Sequence, residues 1–113
     1  MRLKAEVWVK AYLRTCSREG ATATVVRHGD DDAGAVFIKI RTLDGLAKLF
    51  GPAPVRLDDQ VYSQSWSAHF GEGSRPESEI DALLTQQQQY DPDLWIVEVD
   101  SRDGRHFLGD WLI

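Results

Sequence analysis

The side chains that could do chemistry in this chain are few and far apart. Asp30, Asp31 and Asp32 stand beside His28, and together they offer oxygen and nitrogen donors for a hard divalent cation. Adjacent turn residues usually diverge, however, and an acidic tip also keeps a hairpin soluble and unpaired. No metal and no cofactor are therefore assigned. Pro92-Asp93 followed by Glu98-Val99-Asp100 is faintly similar to the acidic strand of metal-dependent nucleases, but Asp100 stands where that pattern wants a lysine. The histidines His28, His69 and His106 could meet in space, and neutral imidazole is a good base or ligand. No serine or cysteine has a nucleophile context such as G-x-S-x-G, and the lone Cys16 reads as a small buried hydrophobe. EF-hand, H-E-x-x-H, Walker and G-x-G-x-x-G spacings are all missing. The catalytic residues stay unknown. One reading is a small metal-dependent hydrolase or nuclease-like enzyme using Asp30 to Asp32, Asp93, Glu98 and a histidine.

A second chemistry is recognition of an anion or RNA. Arg27, Lys39 and Arg41 lie on the polar faces of two strand-like runs, and Arg14 and Arg18 could extend that patch. Phe37 and Trp95 could stack bases, although core positions explain them as well. Cross-strand pairing of the cations with acids such as Glu98 is the competing explanation. Residues 1–56 carry ten Lys/Arg and six acids; residues 57–113 carry three Arg and twelve acids. The halves are thus +4 and −9, and the chain is −5. Within one domain such halves pair with each other, and a net acidic surface is repelled by phosphate backbones. Nucleic acid is not expected as a partner.

The elements that must position these groups follow from periodicity. The 113 residues suit a single domain, and 42% hydrophobic with 27% charged is a globular balance. Ala5, Trp8, Val9, Tyr12, Leu13 and Cys16 form one apolar stripe, predicting a helix over residues 4–19 closed by Gly20. Ala23–Arg27 and Ala35–Arg41 alternate and are separated by Gly29-Asp30-Asp31-Asp32-Ala33-Gly34, predicting a β-hairpin. Leu43-Asp44-Gly45 signals another turn, Leu46–Phe50 a third strand, and Val61–Phe70, with Tyr62, Trp66 and His69, a fourth. Ser74 and Glu77 read as a capping box with Pro76 in the first turn, so a second helix runs to about Gln89. After Asp91-Pro92-Asp93, Leu94–Val99 is a strand with Trp95, Val97 and Val99 on one face. The prediction is an α+β domain: a mostly antiparallel sheet of four or five strands with two helices on one face.

No segment approaches the roughly 18 apolar residues of a membrane span. Glu6, Lys10 and Arg14 break any signal-peptide core. One cysteine allows no internal disulfide, so a cytoplasmic protein is expected. The chain has no asparagine and so no N-glycosylation site. Phe107, Leu108, Trp111, Leu112 and Ile113 form an apolar tail that must pack on the domain or on a partner.

Four stretches carry a family resemblance. They are Arg2-Leu3-Lys4 with Leu13-Arg14, and Val26-Arg27-His28-Gly29-Asp30 leading to Ala33-Gly34-Ala35. The others are Leu49-Phe50-Gly51-Pro52-Ala53-Pro54 and Asp91-Pro92-Asp93-Leu94-Trp95-Ile96-Val97-Glu98-Val99. They resemble an uncharacterised alphaproteobacterial family of short proteins, a domain of unknown function. The resemblance implies a bacterial cytosolic protein and no particular activity. The leading expectation is a non-enzymatic binding or accessory domain that contacts a protein partner or a second copy. Its candidate surface is Phe50–Pro54 plus Phe107–Ile113, and its candidate binding residues are Arg14, Arg27, Lys39, Arg41, Trp95, Phe107 and Trp111. On that expectation, deleting residues 107–113 weakens association without unfolding the domain.

Overall fold

The computed structural model describes residues 3–53, 64–71 and 73–113. The first helix, α1 (Ala5–Arg18), buries Ala5, Trp8, Val9, Tyr12 and Cys16, the stripe that its spacing predicts. Lys4 at its N-cap makes no side-chain cap. Instead the Ala5 and Glu6 amides donate to the Asp32 and Asp31 carbonyl oxygens, at 3.1 and 2.9 Å. At the other end Gly20 donates to Ser17 O and Ala21 to Cys16 O, a Schellman closure with Gly20 at φ +83°.

Among the described residues six strands follow: β1 (Thr22–Arg27), β2 (Val36–Arg41), β3 (Leu46–Pro52), β4 (Trp66–Ala68), β5 (Arg75–Pro76) and, after helix α2 (Glu77–Tyr90), β6 (Trp95–Asp100). The order is β1-β6-β2-β3-β4, with β5 also on β3. Every pair is antiparallel except β2 with β6. The fold is thus α+β with a mostly antiparallel sheet.

The predicted β1–β2 hairpin does not form. β6 lies between the two strands, with Val97 level with Val25 on one side and Ile38 on the other. The physical reason lies in β6. Leu94 and Ile96 are buried on one face and Trp95, Val97 and Val99 on the other, which suits a central strand with neighbours on both sides. The linker that looked like a turn steps across the start of β6. Gly29 and Gly34 lie so close to it that a Cβ on either would fall on the Asp93 carbonyl and the Trp95 ring. Asp30 N donates to Asp93 O, Trp95 N to Ala35 O and Trp95 Nε1 to Asp30 O, at 2.7–2.9 Å. The hairpin that does form joins β2 to β3 through Asp44 and Gly45, both at positive φ, the signature of a type I′ turn.

The helices sit on opposite faces of the sheet, not on one. Val36, Ile38 and Ile40 face α1, together with Phe50, Trp95, Val97 and Val99. Ala47, Leu49, Leu94 and Ile96 face α2 through Ile80 and Leu84. β2, β3 and β6 each carry apolar residues at both parities, so each face needs a cover.

Two further boundaries move. α2 begins at Glu77, with Pro76 as its N-cap and no side-chain cap, so the Ser74–Glu77 capping box is not made. Arg75 and Pro76 are held extended against Ala47 and Leu46, and the Glu77 amide donates to Gly45 O at 2.8 Å. Backbone pairing thus replaces the side-chain cap. The fourth strand is Trp66–Ala68, shorter than predicted, and Val61 to Ser63 of the prediction lie outside the described residues. β3 extends to Pro52, whose missing N–H falls at the strand end. Among the described residues no helix is long and apolar enough to cross a membrane.

Candidate functional site

Lys39 and Arg41 project from β2 toward α2. Lys39 is only 4% exposed. Its Nζ donates to Glu77 Oε1 at 2.8 Å and Asp81 Oδ1 at 2.7 Å, with Glu98 Oε2 at 3.7 Å. Arg41 meets Glu77 at 3.2 Å, Glu98 at 3.1 Å and Asp100 at 3.5 Å. Burial alone would lower the Lys39 ammonium. Its hydrogen bonds to Asp81 and Glu77 and the nearby Glu98 charge outweigh that and raise it. The bond from Lys39 holds the Glu77 carboxyl below the usual range, against the opposing effect of burial. Two cations and four carboxylates therefore clamp α2 onto the sheet, and the cross-strand pairing with Glu98 is present. The helical partners Glu77 and Asp81 escaped the sequence reading. The available signal was a single lysine inside the apolar run Val36–Ile40, facing an acidic pair one helical turn apart.

The basic residues do not gather into one surface. Arg14 and Arg18 are exposed on α1, across the sheet from Lys39 and Arg41. Arg27 ends β1 and donates through Nη2 to Pro92 O at 2.6 Å. Trp95 is core on the α1 side, with the His28 ring 4.0 Å from its own.

The acidic linker is likewise occupied by structure. Asp30 Oδ2 accepts from the Asp32 and Ala33 amides, at 3.1 and 2.9 Å. Asp31 binds His28 Nε2 at 2.7 Å, and Asp32 lies 3.6 Å from Lys4. Glu98 points instead into the α2 clamp, so the carboxylates of the hydrolase reading do not converge. Among the described residues no group of three or more His, Cys, Asp or Glu is arranged to hold a metal ion.

The C-terminal tail is folded onto the α1 side. Leu108 is buried, and the Trp111 ring meets Trp8 edge-on at 5.2 Å. Trp8 in turn stacks on Trp66 at 3.8 Å and on Tyr12 at 5.0 Å. Leu112 bridges to Trp66, and the Ile113 amide donates to Trp66 O at 2.9 Å. Phe50 is core as well. Most of the surface expected from sequence is thus used inside the domain, and Pro54 lies outside the described residues. The tail is latched by Tyr12, whose phenol donates to His106 O at 2.6 Å. His106 Nδ1 accepts from the Leu108 amide at 2.9 Å, which puts the ring proton on Nε2. Burial, with Lys48 and Arg105 nearby, keeps this imidazole below its ordinary pKa. Phe107 adopts φ +57° beneath the Arg105 guanidinium, which sits 4.7 Å from its ring centre and 3.4 Å from Glu19. Thr15, Glu19, Arg105, His106, Phe107 and Gly109 line a shallow cleft of about 310 Å³. Cys16 is fully buried and its thiol is pushed up by that burial, so it is no thiolate nucleophile.

The two edges of the sheet differ. The β4 edge is covered by the tail through Leu112 and Ile113. The β1 edge has no second strand neighbour among the described residues. Thr22, Thr24 and Val26 are exposed, and Val26 is 57% accessible. No charge occurs from Gly20 to Val26.

Relatives of the same shape exist. The family model described as "Protein of unknown function (DUF1491)" matches residues 3–109. A crystal structure of a DUF1491 family protein from Caulobacter crescentus CB15 is 37% identical, with TM-score 0.80, covering 100% of this chain and 99% of that one. An NMR structure of a DUF1491 protein from the same organism is 38% identical, with TM-score 0.81 and coverage of 100% and 98%. The solution structure of protein Atu0922 from A. tumefaciens is 34% identical, with TM-score 0.76 and coverage of 89% and 87%. Among curated proteins none matches. With a family model spanning nearly the whole chain and relatives of the same fold above 30% identity, this chain belongs to the DUF1491 family.

Proposed function

We propose that this chain is a binding or accessory domain that engages a protein partner by strand addition at the β1 edge. The observation that carries the reading is the uncharged edge Thr22–Val26, which has no second strand neighbour among the described residues, set against an opposite edge that the chain covers with its own tail. An unpaired edge presents a row of N–H and C=O groups to any extended segment, and proteins usually blunt it with charge or proline. Here neither occurs before Arg27; a register shift between Val25 and Arg27 is the one interruption. Lys39 and Arg41 are already engaged by carboxylates, which supports a protein partner over an anionic one. In this reading the domain works in the cytoplasm, a view supported by its single buried cysteine.

The test is site-specific photocrosslinking in an alphaproteobacterial host. A photoreactive residue in place of Thr24 is expected to give discrete protein adducts, and one in place of exposed Gln86 on α2 none. Equal labelling from both positions, or no adduct from the β1 position, contradicts the reading.

A further inference from the structure

We propose that the strand added at β1 is β1 of a second copy, paired antiparallel about a two-fold axis at Thr24. This rests on the strand-addition reading above and names its partner. Symmetry limits the registers. A two-fold axis perpendicular to the sheet keeps each side chain on its own face, so only registers centred on a residue are allowed. Centring on Val25 would set Arg27 against Ala23, and centring on Ala23 would leave Val26 beside Gly20. Centring on Thr24 sets Thr24 against itself, Ala23 against Val25 and Thr22 against Val26. On each face a β-branched residue then meets a smaller or equal one, the pairing that favours adjacent strands.

Charge permits the same partner. The chain carries −5, so two copies repel on average. Gly20–Val26 is a stretch where no such repulsion arises at the seam. On the α2 side of β1, Thr22 and Thr24 lie level with Asp100 and Glu98 of β6, whose carboxylates Arg41 engages, and exposed Val26 gains cover from Thr22 of the second copy. The register shift between Val25 and Arg27 marks the Val26 end of the pairing. The product is one continuous sheet through both copies, with the two α1 helices on one face and the two α2 helices on the other.

The test uses light scattering of the full chain and charge placed at the axis. Wild type is expected to approach twice 12.8 kDa as its concentration rises from about 5 μM to about 500 μM. Thr24→Lys and Thr24→Glu each place like charges opposite themselves and should weaken association about tenfold or more. An equimolar mixture of the two variants should recover the dimer, because the introduced ammonium of one then faces the introduced carboxylate of the other across the axis. Circular dichroism verifies that each variant is folded. If either variant fails to fold, amide exchange of residues 22–26 in wild type replaces it and should slow as concentration rises. A wild type that stays at 12.8 kDa overturns the proposal. So does a dimer indifferent to both variants, or a variant mixture that stays monomeric. A photoadduct from position 24 to a different protein, with wild type monomeric, leaves strand addition standing and removes self-pairing.

Discussion

Among single residues, Lys39 shows how a charge can be buried in a small sheet protein. Three carboxylates surround it, and two of them come from a helix that buries only Ile80 and Leu84. Much of the docking of α2 therefore rests on this contact. Lys39→Ala leaves Glu77, Asp81 and Glu98 facing one another without their cation. It should cost about 3 kcal/mol in urea unfolding, the low end for a broken buried pair because the carboxylates keep some solvent. The pH dependence follows from the shifts. Glu77 is depressed in the folded state, so its contribution is present above its unfolded value near 4.5 and is lost as pH falls through the folded value. Glu77→Gln should flatten that acid limb. Lys39 is raised, so its contribution is present below about 10.5 and disappears as pH rises through the folded value. His106 has the opposite sign to Lys39. Its folded pKa is depressed, so protonation opposes the folded state and stability declines as pH drops below 6.5. Its ring resonances should titrate below 6.5 by NMR; a midpoint at or above that value contradicts the burial of the ring beside Lys48 and Arg105.

Among the helices and strands, local pattern reveals what an element is better than what stands beside it. α1 was legible because its stripe and Gly20 are local signals. β1, β2 and β6 were legible as strands from alternation and β-branched composition. Their neighbours were not, because strand order depends on which strand needs burial on both faces. β6 declares that need through Leu94 and Ile96 as well as Trp95, Val97 and Val99. The start of α2 was misplaced because Arg75-Pro76 pairs with Leu46-Ala47 of β3, a contact between residues remote in sequence. Of the candidate site, the cations were legible and their partners were not, since Glu77 and Asp81 meet Lys39 only through the fold. Two outcomes follow for whole elements. Gly29→Ala drives a methyl into the Asp93 carbonyl and should cost about 1–3 kcal/mol by thermal melt. Removing residues 107–113 takes Leu108 out of the core and uncovers Trp8 and Trp66, and should destabilise the domain by more than the roughly 2–5 kcal/mol of a single Leu→Ala change. The tail is therefore a structural element, and its deletion is not a clean test of association.

Across the molecule, the two ends of the sheet are treated differently. One end is sealed by the C-terminal tail, and the other is offered as an uncharged strand. Part of the split of charge between the two halves of the sequence is met inside the fold: Lys39 and Arg41 from the first half meet Glu77, Asp81, Glu98 and Asp100 from the second. The charged surface that remains is interrupted at β1, where Gly20–Val26 carries no charge. That interruption is the proposed seam with a second copy. Isotope-filtered NMR on a mixture of labelled and unlabelled chains reads the seam residue by residue. Intermolecular backbone contacts are predicted between Thr24 and Thr24, flanked by Ala23 with Val25. Intermolecular contacts confined to other residues, or none at a concentration where the wild type is fully associated, would contradict the proposed pairing.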